Sequence, residues 1–138
     1  MKTPRLSCLA ILGLTGCGTE PPCSSEVLQV ARDLGSDRYA VTAARSCGAT
    51  TDYATTVRVG RASEPQSAAT EVFVADSDHG AATDGLGRGV WMNVVWRAPG
   101  QLAVAYATKA RIFKRLPEAK GASISYTASD PVSLPAVP

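Results

Sequence analysis

Apolar and polar positions alternate along most of this chain from Arg38 onward. In Arg38–Arg45, Tyr39, Val41 and Ala43 alternate with Ala40, Thr42 and Ala44, and in Tyr53–Gly60, Val57 and Val59 stand against Thr56 and Arg58. A period of two sends successive side chains to opposite faces, so each run predicts a strand. Glu71–Asp76, EVFVAD, is another short run of β-forming residues. The clearest strand is Val90–Arg97. It sets Val90, Met92, Val94 and Trp96 on one face and Trp91, Asn93, Val95 and Arg97 on the other. The next four residues, APGQ, place Pro99 and Gly100 where a type II turn wants them. Leu102, Val104 and Tyr106 then alternate with alanines and complete a hairpin. ARIFKR and ASISYTA predict two more strands.

Val27, Val30, Ala31 and Leu34 are the ambiguous set. They fall at helical spacing, with Ser24 or Ser25 as a cap and Gly35 as a stop. The same residues suit a strand closed by a turn at Gly35-Ser36-Asp37, and the period-two neighbours favour the strand. Nothing repeats at the spacing of solenoid units. The expectation is an all-β fold: one small antiparallel domain, barrel- or sandwich-like. Its two long connections are Arg61–Thr70 and Asp76–Gly89, and loops of that size in a compact domain are commonly functional. Pro131, Pro135 and Pro138 make the end of the chain irregular.

The first residues, MKTPRLSCLAILGLTGC, follow another logic. Lys2 and Arg5 precede a short apolar run from Leu6 to Leu14, the layout of a secretory signal. The run is much shorter than the roughly 20 residues needed to span a bilayer. Leu14-Thr15-Gly16-Cys17 resembles the lipobox of bacterial lipoproteins. The resemblance implies cleavage before Cys17, a diacylglycerol on its sulfur, and anchorage in a lipid bilayer. Gly18, where inner-membrane retention signals often carry Asp, implies the outer membrane, facing the periplasm. Two or more acyl chains give stable anchoring where one is marginal. The chain then divides into a signal peptide (1–16), a lipidated tether (17–25), a β domain (26–128) and a Pro-rich tail (129–138).

Processing changes the charge balance. Losing Lys2 and Arg5 from the 14 basic residues leaves as many as the 12 acidic ones, which argues against nucleic acid as a partner. It also removes Cys8 and commits Cys17 to lipid, so Cys23 and Cys47 remain and are expected to pair in an oxidising compartment. Two free thiols are the alternative. A zinc site falls short of four ligands.

CGATTDYATTVRV, VFVADSDHG, a Trp-containing strand and RIFK together resemble a group of small bacterial proteins that share a CGATT segment. The similarity spans Ser25 to Lys114 and implies a β domain and no particular activity. The first turn, Leu34-Gly35-Ser36-Asp37, departs from that group's Pro-Asp-Gly type.

Candidate chemistry is sparse. DSDHG gathers Asp76, Asp78 and the single histidine, His79, with Asp84 nearby. Such a set suits a ligand or metal loop, although Asp and Gly are also ordinary turn residues. Gly80 breaks the EF-hand pattern. SCGATT sets Cys47 beside the hydroxyls of Thr50 and Thr51, which are expected to bond local backbone. Trp96 belongs to the core, whereas Trp91 is either covered by a loop or tail or serves as an anchor for a partner. Lys109, Arg111, Lys114 and Arg115 crowd one strand. Such charges protect a sheet edge from unwanted pairing, or touch anionic headgroups.

No catalytic residue and no cofactor follows from these residues. One histidine makes any His-based triad depend on His79, while a carboxylate-pair glycosidase remains open by count. The favoured reading is a membrane-anchored binding or accessory module with an envelope-protein or cell-wall partner. The alternatives are a small envelope hydrolase or metal-binding protein using Asp76–Gly80, and a purely structural lipoprotein.

Overall fold

The computed structural model describes residues 23–48 and 52–132. Cys17, Thr50 and Thr51 lie outside the described residues. The protein is all-β. Among the described residues the nine strands are β1 (Ser24–Arg32), β2 (Arg38–Ser46), β3 (Ala54–Arg61), β4 (Thr70–Asp76), β5 (Met92–Ala98), β6 (Gln101–Tyr106), β7 (Arg111–Arg115), β8 (Glu118–Ala119) and β9 (Ala122–Ala128). They form a five-stranded sheet in the order β1-β2-β3-β4-β7 and a four-stranded sheet in the order β5-β6-β9-β8. One 3₁₀ turn, Gln66–Ala68, shortens the first long connection.

The ambiguous segment is a strand. β1 begins at Ser24, inside the stretch expected to be tether, because Cys23 and Cys47 are joined in a disulfide and Ser24 pairs with Ser46 immediately beyond it. β5 begins at Met92, later than the alternation suggests, and Val90 instead makes an isolated bridge with Asp84. The β5–β6 hairpin turns at Pro99-Gly100 as expected, with Gly100 at φ 72°. Most neighbours run antiparallel. The exception is β6 with β9, which are parallel in register from Gln101–Ser123 to Tyr106–Ala128. Between them the chain leaves the second sheet, adds β7 to the first, and returns through β8.

Period-two alternation builds the core. Ala40 from β2, Val57 and Val59 from β3, and Phe73 and Ala75 from β4 meet Val94, Leu102, Val104, Tyr106 and Ile124 of the other sheet. Met92 and Trp96 pack against this cluster from β5, which confirms the face assigned to them by alternation. Phe73 is fully buried, with the rings of Tyr106 and Tyr126 at 5.3 and 5.8 Å. Burial pushes the Tyr126 hydroxyl up to about 12, and that hydroxyl donates to the carbonyl oxygen of Leu116 at 2.8 Å. Thr55 spends its buried hydroxyl on the Val90 N–H at 2.9 Å, tying the approach to β5 onto β3.

The Asp76–Gly89 connection is not a free loop. Ala82 is buried with Val90 and Ala107, and Trp91 packs, half-buried, against this small cluster. The Trp91 N–H donates to Thr83 O at 2.8 Å. At Gly85 a Cβ would lie 2.6 Å from Val90 O, so the loop closes this tightly only with glycine there. Gly87 and Gly89 lie against Leu28 of β1.

The disulfide closes a separation of 24 residues, and for loops of that length chain entropy predicts about 3 kcal/mol of stabilisation. Replacing Cys23 and Cys47 with serine is therefore expected to lower the denaturant midpoint. Equal midpoints for the two proteins would contradict it.

Candidate functional site

Each end of the sandwich carries a charged cluster. At the hairpin end the acids serve the turns. Asp33, 4% exposed, accepts the Gly35 N–H at 3.0 Å, the Ser36 hydroxyl at 2.9 Å and the Gly100 N–H at 2.9 Å. Arg38 Nη1 lies 3.3 Å away. Burial opposes ionisation of Asp33, but these donors outweigh it and hold the carboxyl below its ordinary value. Asp37 accepts from the Ser63 hydroxyl at 2.6 Å, the Ser63 N–H at 3.1 Å and Arg61 at 2.8 Å. Led by the Ser63 bonds, these bring it down from 3.8 to about 2. Arg38 and Arg61 also donate to the carbonyl oxygen of Lys120 at 2.8 and 2.9 Å, in the β8–β9 turn. The bonds to Gly100, Ser63, Arg61 and Lys120 join separate parts of the fold, so this end is a structural latch.

The disulfide end is different. Cross-strand register lines up Arg45, Ala54, Asp76 and Arg111 on the outer face of the five-stranded sheet. Asp76 is 5% exposed and takes a forked pair of bonds from Arg111, Nε at 3.1 Å and Nη2 at 2.5 Å. Burial raises the Asp76 carboxyl, but the Arg111 bonds, the Asp78 N–H and the nearby charges lower it further, for a net fall. Asp78 and His79 hold left-handed backbone, φ 49° and 57°. That twist aims the Asp78 N–H at Asp76 (2.9 Å) and the His79 N–H at Asp52 (3.1 Å). The His79 ring stays largely exposed, with Nδ1 at 3.5 Å from the Asp52 carboxylate.

Arg45, Cys47, Asp52, His79, Arg111 and Phe113 border a groove of about 620 Å³. Arg45 reaches across to Glu71 at 3.0 Å, and Lys114 meets the same carboxylate at 3.3 Å. Glu71 stands two rows from Arg45, so this pair bridges the row of Ala43, Thr56 and Val74 and helps shelter it from water. Phe113, at the bulge in β7, is 60% exposed beneath the Arg111 guanidinium.

Of the residues singled out by sequence, Asp76, Asp78 and His79 come together. Asp84 does not join them; it is exposed and bridges to Val90. Trp91 lies with the loop cluster around Ala82, away from this groove. Asp52 and the pairing of Arg111 with Asp76 have no local signal, being 27 and 35 residues from their partners in sequence. Among the described residues, no group of three or more His, Cys, Asp or Glu side chains is placed to hold a metal ion. Arg111 and Lys114 lie on β7, an edge strand, in keeping with a protective role for its charges. Comparison with family models, curated proteins and solved structures finds no match for this chain.

The lowered carboxyls set an acid limit. Their stabilisation is complete above the unfolded value near 3.8 and is lost as pH falls through the folded value, about 2 for Asp37. The thermal midpoint is expected to hold down to about pH 5 and then fall steeply towards pH 2. Arg111→Ala should lower the thermal midpoint near neutrality, because it strips donors from the buried Asp76 carboxylate. That difference should shrink once Asp76 is protonated. A midpoint that stays flat to pH 2 would refute this reading.

Proposed function

We propose that this protein is a lipid-anchored binding module of the bacterial envelope, tied to the outer membrane through Cys17 and acting without catalysis on an envelope protein or the cell wall. The carrying observation is the Leu14-Thr15-Gly16-Cys17 box, six residues before Cys23. Six residues of extended chain reach about 20 Å. The β body starts at once after that reach, since Cys23 is locked to Cys47 and β1 begins at Ser24. A domain so tethered works close to the lipid surface.

The charge pairing of the disulfide-end groove supports binding over hydrolysis. Asp76 is spent on Arg111, and Glu71 on Arg45 and Lys114. A glycosidase needs two carboxyls free to exchange protons with substrate and water. The hydrolase alternative draws on one observation, the contact of His79 Nδ1 with Asp52, the arrangement of a base and its orienting acid. His79→Ala separates the two readings, since a binding module keeps its function without that ring.

Labelled palmitate fed to expressing cells should enter the native protein and not the Cys17→Ser variant, which should also leave the membrane fraction. Mass spectrometry should place the acylated amino terminus at Cys17. A membrane-free native chain still starting at Met1 would end this proposal.

A further inference from the structure

Two sheet edges face each other on one side of the sandwich. β1 ends the five-stranded sheet and β5 ends the four-stranded one. No ladder joins them. They touch through the Trp96 indole N–H, which donates to the carbonyl oxygen of Ala31 at 3.0 Å. Between them lies a groove of about 470 Å³, bordered by Gln29, Ala31 and Arg32 on one side and Val94, Trp96 and Arg97 on the other.

Three observations give this groove a direction. The first is the contrast between edges. β7 carries Arg111, Lys114 and Arg115 in five residues and is bulged at Phe113, devices that discourage added strands. β5 reads MNVVWRA, with one charge, and the middle of β1 reads VLQVA, with none. The second is shape. An edge strand offers alternate N–H and C=O groups to an incoming chain, and the apolar side chains beside it offer pockets for alternate residues. The third is charge. Arg32 and Arg97 are both exposed at the rim, and neither guanidinium has an ion-pair partner among the described residues. The arginines at the disulfide end, by contrast, are paired.

We propose that the β1–β5 groove is a strand-docking site, taking an extended peptide segment of a partner protein that alternates apolar residues and carries carboxylates. The segment extends the four-stranded sheet beside β5, its apolar side chains facing Trp96 and its acids meeting Arg32 and Arg97. β5 is seven residues long, and this sets the length of the docked segment. The assignment rests on the binding-module reading and names the class of partner it takes.

The test uses the full chain in detergent micelles, panned against a phage library of random dodecapeptides. Enriched peptides should alternate apolar residues, contain Asp or Glu, and lack central proline. A synthetic copy of the most enriched peptide should shift the amide resonances of Val94–Ala98. The double variant Arg32→Glu with Arg97→Glu should bind that copy roughly tenfold more weakly and should itself select Lys- or Arg-containing peptides. Both positions are exposed, and circular dichroism checks that the variant is folded. No enrichment, enrichment without acids, or equal binding by the charge-reversed variant would overturn the proposal. The Cys17→Ser chain should select the same peptides. Loss of acylation with the peptides retained therefore counts against anchoring alone, and acylation without acidic peptides counts against this groove alone.

Discussion

Phe73 is the side chain through which the two sheets become one body. The chain is poor in aromatics, with two Phe, four Tyr and two Trp in 138 residues. Its inner faces are otherwise built mostly from smaller aliphatic residues, valine and alanine with Leu102 and Ile124. Phe73 projects from β4 between Tyr106 of β6 and Tyr126 of β9, the two parallel strands at the centre of the opposite sheet. The tyrosines bring polar tips that fix its place. Tyr126 donates its hydroxyl to Leu116 O or Val72 O, while Arg115 donates to Tyr106 Oη at 3.1 Å. Burial of an aromatic ring is the large non-directional term. The hydroxyl bonds make it specific to one register.

Around that centre the margins are finished unequally. The hairpin end is sewn by Asp33, Asp37, Arg38 and Arg61, which connect four separate turns and strand ends. The opposite end is held covalently by Cys23–Cys47. On one side β7 is guarded by cations, while β1 and β5, with no ladder between them among the described residues, meet through Trp96 and beside the glycine-rich loop that rests on Leu28. The seam between them is thus the least finished margin of the sandwich, and the docking proposal rests on that inequality. A body fastened at both ends and guarded along one side leaves the remaining side open, where the proposed docking groove lies.

Local periodicity made the strands legible, because a half-buried strand writes its two faces into alternate residues. Pro99-Gly100 announced the β5–β6 hairpin, and cysteine counting paired Cys23 with Cys47. Strand direction was not legible: Leu102, Val104 and Tyr106 would alternate identically beside a parallel or an antiparallel neighbour, so the β6–β9 pairing had no local mark. Asp33, just before the first turn, is nearly buried, and nothing local marks it, since its bond to Gly100 spans 67 residues. The same holds at the candidate site. DSDHG was visible as a cluster, but what it does depends on Asp52 and Arg111, which approach it only in the folded sheet.

The most direct test of this account is native-state hydrogen exchange of the backbone amides, followed strand by strand through increasing denaturant. If the Phe73-centred contact unites the sheets, the slowest amides of β2, β3 and β4 should converge with those of β6 and β9 on one global opening energy. Two distinct opening energies, one for each sheet, would show that the sheets fold independently and that the contact between them is incidental.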